Sequence, residues 1–155
     1  MTGYLVRDAT MDDLDPLIGF EIDIAVISFD DKAITDTGRH GKRLSSAIRS
    51  QDDVTLVVVA EDAPGEPLGW AWLSARSNSL TGERYGNFRS LATAEHPDRT
   101  EIGELLLGEL LERVRALGVT EVVGKVHVAN TAMRTLYKKF DFESVHLTMR
   151  RILSS

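Results

Sequence analysis

The side chains with chemistry to offer gather in one stretch, residues 122–142, which reads V-V-G-K-V-H-V-A-N-T-A-M-R-T-L-Y-K-K-F-D-F. Tyr137 carries a hydroxyl of reference pKa ~10 that can donate a proton, and His127 titrates near neutrality and can accept one. A tyrosine at helical spacing is also ordinary packing, and a histidine in a strand is also ordinary structure, so residue type alone leaves both readings open. Other chemistries lack their parts. The 155 residues contain no cysteine, which removes disulfides, thiolate metal sites and a cysteine nucleophile. His40, His96, His127 and His146 are scattered without ligand spacing, so no metal is expected. A Walker phosphate loop, a serine elbow and a paired-histidine motif are all missing.

Several elements must position Tyr137 and His127. Val122, Val126 and Val128 alternate with Lys125, His127 and Ala129, which predicts a strand over 119–128 with valines on one face and basic residues on the other. Asn130 ends it and caps a helix in which Ala132, Met133, Leu136, Tyr137 and Phe140 recur at helical spacing. Upstream, Tyr4 to Arg7 form a short strand, and Thr10 and Asp13 have capping-box spacing. A helix with Pro16 in its first turn follows, its stripe being Leu14, Leu17, Ile18, Ile22, Ala25 and Val26. The pattern weakens over 29–41 before Leu44, Ala47 and Ile48 support a second, shorter helix.

Residues 54–60 are continuously apolar, as expected of a strand buried on both faces, and the next strand carries Trp70 and Trp72 on one face. A polar segment over 74–83, a loop or a loosely paired hairpin end, leads to a fourth strand from about 85 to 93. A long helix over 101–117 keeps Ile102, Leu105, Leu106, Leu110, Val114 and Leu117 on one side and stops at Gly118. Residues 142–152 read as two short strands or one bent strand. No repeat, linker or low-complexity tract interrupts the chain, so residues 1–155 are expected to form a single domain of mixed α/β layers.

Asn130-x-Ala132-x-x-x-Leu136-Tyr137 after an apolar strand, with Phe140 and Phe142 beyond it, resembles the second half of the GNAT acetyltransferase superfamily. Gly69 to Leu73 resemble the family's third strand, Leu91-Ala92-Thr93 its fourth, and Ile102-Gly103-Glu104-Leu105-Leu106 the start of its long central helix, so the likeness spans nearly the whole chain. The implied fold is a mixed central sheet of about six to seven strands flanked by about four helices, with the fourth and fifth strands splayed apart. The implied function is acetyl transfer from acetyl-CoA to a primary amine of a small molecule or protein, by direct attack in a ternary complex.

The resemblance also assigns roles. Tyr137 occupies the position of the acid that protonates the leaving thiolate. Backbone groups of Leu91, Ala92 and Thr93 pair with the pantetheine arm and polarise the thioester carbonyl, where fixed dipoles suit the charge that develops on oxygen. Amides of Thr100, Glu101, Ile102, Gly103 and Glu104 cradle the pyrophosphate at the helix start, with Arg99 as charge partner and Asn130 as a further cofactor contact. Three departures stand out. Aligning on Gly103 puts Asp98 where the family has Arg or Gln and Glu101 where it has its first Gly. Asp141 replaces the usual Gly before Phe142. The strand-five position where some protein-acetylating relatives carry Glu is Lys125, which leaves His127 as the best local base and Glu83 and Glu95 as looser alternatives. These departures also fit a second reading, a GNAT fold that has lost catalysis and serves as a binding or regulatory module.

The net charge of −6, from 18 Lys and Arg against 24 Asp and Glu, argues against a nucleic-acid partner. Asp8, Asp12, Asp13, Asp15, Glu21, Asp23, Asp30 and Asp31 concentrate the acid near the start, as an attractant for a cationic acceptor or as solvated helix faces. No apolar run approaches the ~20 residues of a membrane helix and no secretory leader is evident, so a cytoplasmic protein without a membrane partner is expected. Trp70, Trp72 and Tyr85 are expected either to line the acceptor's side of the cleft or to serve as core or homodimer contacts.

Overall fold

The computed structural model describes residues 3–29 and 33–153, so Asp30, Asp31 and Lys32 lie outside the described residues. One five-stranded sheet forms in the order β1 (Tyr4–Asp8), β2 (Asp53–Ala60), β3 (Gly69–Ser77), β4 (Arg84–Thr93) and β5 (Glu121–Gly124). The first three pairings are antiparallel, and only β4 and β5 run parallel. A parallel pair needs a crossover, which is supplied by α3 (Arg99–Ala116). Helices α1 (Leu14–Phe29), α2 (Thr37–Arg49) and α4 (Thr131–Lys139) complete the set.

The unbroken apolar run of β2 serves two cores at once. Leu56 and Val58 join Ala71, Leu73, Phe88 and Leu91 under α3 and α4, whereas Val57 and Val59 join Trp70, Trp72 and Ala92 under α1 and α2. Period-two alternation makes this division, as a strand buried on both faces requires. The α1 stripe is displaced from the expected one. Leu17, Phe20 and Ile24 pack on the sheet with Leu14 and Ile18, while Val26 is exposed and neither Ile22 nor Ala25 joins the cluster. The first turn explains the displacement. Asp13 completes a capping box with Thr10 around a single 3-10 turn, Met11–Asp13, and is locked by a two-pronged ion pair to Arg7 at 2.8 and 2.9 Å. That rotates the helix so that Glu21 also turns inward, to meet Trp70 and Arg43.

Two expected features are corrected. The sheet has five strands rather than six to seven, because residues 142–152 form no strand among the described residues. Val145, Leu147 and Met149 do alternate as a strand's side chains would, yet each is largely exposed, and an extended segment without a paired edge has no ladder to hold it. The fifth strand covers Glu121–Gly124 instead of 119–128. Val119, Val122 and Val126 pack on the core, whereas Val128 is 74% exposed, so the alternation of 126 to 128 decorates a turn.

Candidate active site

The site is built where β4 and β5 part. Their parallel pairing runs from Tyr85 opposite Glu121 to Phe88 opposite Gly124 and stops there, while β4 continues to Thr93. A bulge sits beside this point. Trp72 of β3 faces Ser90 and Leu73 faces Phe88, so Arg89 is the extra residue that bends β4 away. At Gly124 the two strands come close: a Cβ there would lie 2.7 Å from Cβ of Phe88, a distance no larger residue could hold without moving the strand.

Beyond the fork, Arg89 to Thr93 keep β3 on one side and have no strand on the other among the described residues. The Ala94 amide donates to Leu68 O on the β3 side at 2.8 Å, so by alternation the main-chain groups of Ala92 also face β3 and those of Leu91 and Thr93 face the gap. The gap is thus lined by backbone donors and acceptors, the equipment for holding an amide-bearing chain.

Helix α4 delivers Tyr137 to the mouth of the fork. Asn130 accepts the Met133 amide at 3.3 Å as N-cap, and Met133 and Leu136 bury the helix against α3. The Tyr137 ring then meets Phe88 edge-on at 5.6 Å between centroids and Phe142 at 5.1 Å. Burial pushes its pKa up to about 12, so the hydroxyl stays protonated near neutrality and carries a proton it can donate. It makes no hydrogen bond among the described residues.

Asp141 preserves the helix end despite standing where the family has glycine. It takes φ +65°, and the amides of Asp141 and Phe142 close on the carbonyls of Lys138 and Tyr137 at 3.1 and 3.0 Å. This is a Schellman closure with its usual apolar contact, here between Phe142 and Tyr137. The closure and Phe142 fix the tyrosine from the C-terminal side.

The start of α3 is more ambiguous chemically. Gly103 lies against both the end of β4 and α4, since a Cβ there would sit 3.7 Å from Thr93 and 3.3 Å from Leu136. Of the amides at this end, Asp98 donates to His96 Nδ1, Arg99 to His96 O and Ile102 to Asp98 O. Gly103 and Glu104 lie in the next turn, where amides bond within the helix. Two expected cradle amides, Thr100 and Glu101, are left without a partner among the described residues. Asp98 does not cap the helix; its carboxylate accepts the Tyr4 hydroxyl at 2.5 Å, and this hydrogen bond is the main reason the Tyr4 pKa rises to about 12. One carboxylate oxygen of Glu101 is buried without a hydrogen-bond partner among the described residues. The side chain of Glu104 pairs with Lys139 of α4, and that of Arg99 with exposed Glu95 at 3.3 Å.

His127 lies outside any strand, exposed in the link between β5 and α4, with its ring edge-on to Phe29 at the end of α1, 6.2 Å between ring centres. Its Nδ1 accepts the Ala129 amide at 3.0 Å, which in the neutral ring leaves the proton on Nε2. Glu83 is exposed in the β3–β4 loop. Trp70 is core, fully buried with its indole donating to Glu21 at 3.1 Å, whereas Trp72 borders a cavity. Phe88, Arg89 and Gly124 shape the fork although none has catalytic chemistry. The signal for them in the sequence is a glycine, Gly124, inside an otherwise valine-rich run, which can mark a close approach of another backbone.

The profile of the Acetyltransferase (GNAT) family matches residues 23–142, well over half the chain, and the chain therefore belongs to this family. Solved structures agree on the fold. It resembles glucosamine-6-phosphate N-acetyltransferase from Arabidopsis thaliana (TM-score 0.68, 15% identity, 97% of this chain and 99% of that one). It also resembles an aminoglycoside acetyltransferase from an uncultured soil metagenomic sample (0.71, 15%, 98% and 97%). A third is a transcriptional regulator from Bacillus halodurans C-125 (0.78, 14%, 97% and 99%). No curated protein sequence matches significantly.

Proposed function

We propose that the chain is an N-acetyltransferase that moves the acetyl group of acetyl-CoA directly to an amine, as a single domain without a covalent enzyme intermediate. The observation that carries this reading is the seat of Tyr137: a protonated, unbonded phenol packed on Phe88, the last residue of β4 before the strands part. Acetyl-CoA supplies an activated acyl carbon and a sulfur that departs as thiolate. The chain's residues do the rest. The open main-chain groups of Leu91 and Thr93 hold the arm and polarise the carbonyl. The Thr100 and Glu101 amides and Arg99 take the pyrophosphate, with Ile102, Gly103 and Glu104 setting the helix that aims them. Asn130 caps α4 and is a further cofactor contact in this reading. Tyr137 gives its proton to the sulfur and regains one from solvent.

His127 can serve as base for an ammonium acceptor only by exchanging its Ala129 hydrogen bond for the substrate's proton. An acceptor already neutral in solution needs no base. The acceptor in this reading is a small-molecule or protein amine, the setting is cytoplasmic, and no metal takes part.

A second reading, a catalytically silent binding or regulatory module, is favoured by the Asp98 and Glu101 carboxylates beside the pyrophosphate position. Calorimetric titration with acetyl-CoA and with free CoA separates the two. Micromolar binding supports the transferase, whereas no heat and no thermal stabilisation at millimolar ligand would leave only the binding module.

A further inference from the structure

On the opposite face of the sheet from Tyr137, α2 borders a cavity of ≈ 450 Å³ over the start of β2, the second half of β3 and Arg89 of β4. That volume suits a small ligand, within the usual ~300–1,000 Å³. Its lining includes Arg43, Arg76, Arg89 and Trp72. Trp72 is only 4% exposed, and its indole Nε1–H is buried with no acceptor among the described residues. The contrast with Trp70 is informative, because there the fold supplies Glu21 to the indole. A buried donor ordinarily finds a partner, so the Trp72 N–H points to an acceptor that the protein does not provide.

The cations around it tell the same story. The guanidinium carbons of Arg43 and Arg89 lie 5.4 and 4.9 Å from the Trp72 ring centre, so the indole face pre-positions both. Arg43 gives one arm to Glu21 at 2.7 Å, while Arg76 and Arg89 make no ion pair among the described residues. Asp52 and Asp53 also border the cavity without pairing to any of the three, and the lining keeps a cationic excess. Arginine forks and an indole N–H together match the planar or trigonal oxygens of a carboxylate or phosphate.

The position couples this cavity to the fork. Arg89 is the bulge residue of β4, immediately after Phe88, on which Tyr137 packs. An acceptor whose anionic end sits over Trp72 would have to reach past Arg89 and across β4 to place its amine at the gap. We propose that this cavity binds the anionic group, a carboxylate or a phosphate monoester, of the amine acceptor, with Arg89, Arg76 and Arg43 supplying charge and Trp72, Ser46 and Ser74 supplying neutral donors. The proposal rests on the acetyl-transfer reading for its second half only, since the anion site itself can be tested without turnover.

The test has two arms at constant ionic strength. In the first, inorganic phosphate and, separately, acetate are titrated while tryptophan fluorescence is followed, with chloride as control. A saturable change that disappears in R89Q, or in R76Q if R89Q fails to fold, supports the site, and a response no different from chloride overturns it. In the second, KM is compared within two matched pairs, an aminosugar against its phosphate monoester and an amino acid against its amide. The anionic member of one pair should show a KM lower by about tenfold, the value of one or two charge-assisted hydrogen bonds, and which pair does so tells phosphate from carboxylate. R89Q and W72F should bring that KM to within about twofold of the neutral partner's, again by losing those bonds. Equal KM values within both pairs, or a preference untouched by R89Q, would sink the proposal. Failure of the transferase reading looks different: no acetyl-CoA binding and no turnover with any amine, while the fluorescence arm still decides the cavity.

Discussion

Replacing Tyr137 by Phe isolates one atom. The hydroxyl has no hydrogen-bond partner among the described residues to orphan, and the ring keeps its contacts with Phe88 and Phe142, so the variant should fold with a stability change below about 1 kcal/mol, or roughly 2–4 °C in Tm. Catalysis should respond quite differently. Positioned general acids contribute about 10²–10⁴-fold, so kcat should fall by about two orders of magnitude or more while the calorimetric Kd for acetyl-CoA stays within about twofold. The pH behaviour supplies an internal check. The folded pKa of about 12 lies above the ordinary 10.0, so the neutral ring favours the folded state fully below pH 10 and this contribution is lost as pH rises through 12. Urea midpoints should therefore fall less between pH 10 and 12 in Y137F than in the parent. Steady-state kinetics with a CoA-thiol readout measure the rate; a kcat within about threefold of the parent's would refute the acid role, because no smaller share of the expected factor is compatible with it.

Other consequences follow from single contacts. Gly124→Ala places a methyl group 2.7 Å from Cβ of Phe88, so chemical denaturation should show a loss of about 1–3 kcal/mol and acetyl-CoA should bind more weakly as the fork shifts. Asp141→Gly relieves an L-residue at φ +65° and should raise Tm by roughly 2–4 °C, for about 1 kcal/mol, with kcat unchanged because the Schellman closure is retained. Glu101→Gln removes a negative charge beside the two unbonded amides of α3 and should tighten acetyl-CoA binding about threefold to tenfold at low salt, less at high salt, by calorimetry. Burial raises the Asp13 pKa, but the Arg7 guanidinium and the Thr10 amide outweigh it and hold the carboxylate below 3.8. That contribution is present above pH 3.8 and lost as pH falls through the lower folded value, so urea midpoints of Asp13→Asn should depend less on pH between about 5 and 2.

What the sequence disclosed and what it withheld divide along a physical line. Local order was legible because it depends on neighbours in the chain: the Asn130 cap, the Thr10–Asp13 box, the Gly118 stop at φ +79° and the two-faced burial of β2 all form as expected. Features set by distant contacts were not. The rotation of α1 answers to Arg7 and Trp70, residues 6 and 49 positions from their partners Asp13 and Glu21, and periodicity within the helix carries no trace of them. The length of β5 is decided by where β4 bulges, so valines that alternate through 128 belong to a strand only as far as Gly124. The same distinction runs through the site. Tyr137 could be singled out because its motif is local, whereas the gap it faces exists only through a misfit between two strands whose pairing ends at Phe88. The Trp72 cavity is further still from the sequence, since an unsatisfied indole becomes visible only when every possible partner within reach has been placed. Chemistry that depends on a group being left over, whether the Leu91 and Thr93 backbone edge or the Trp72 N–H, has no signature in residue type and must be read from the folded chain.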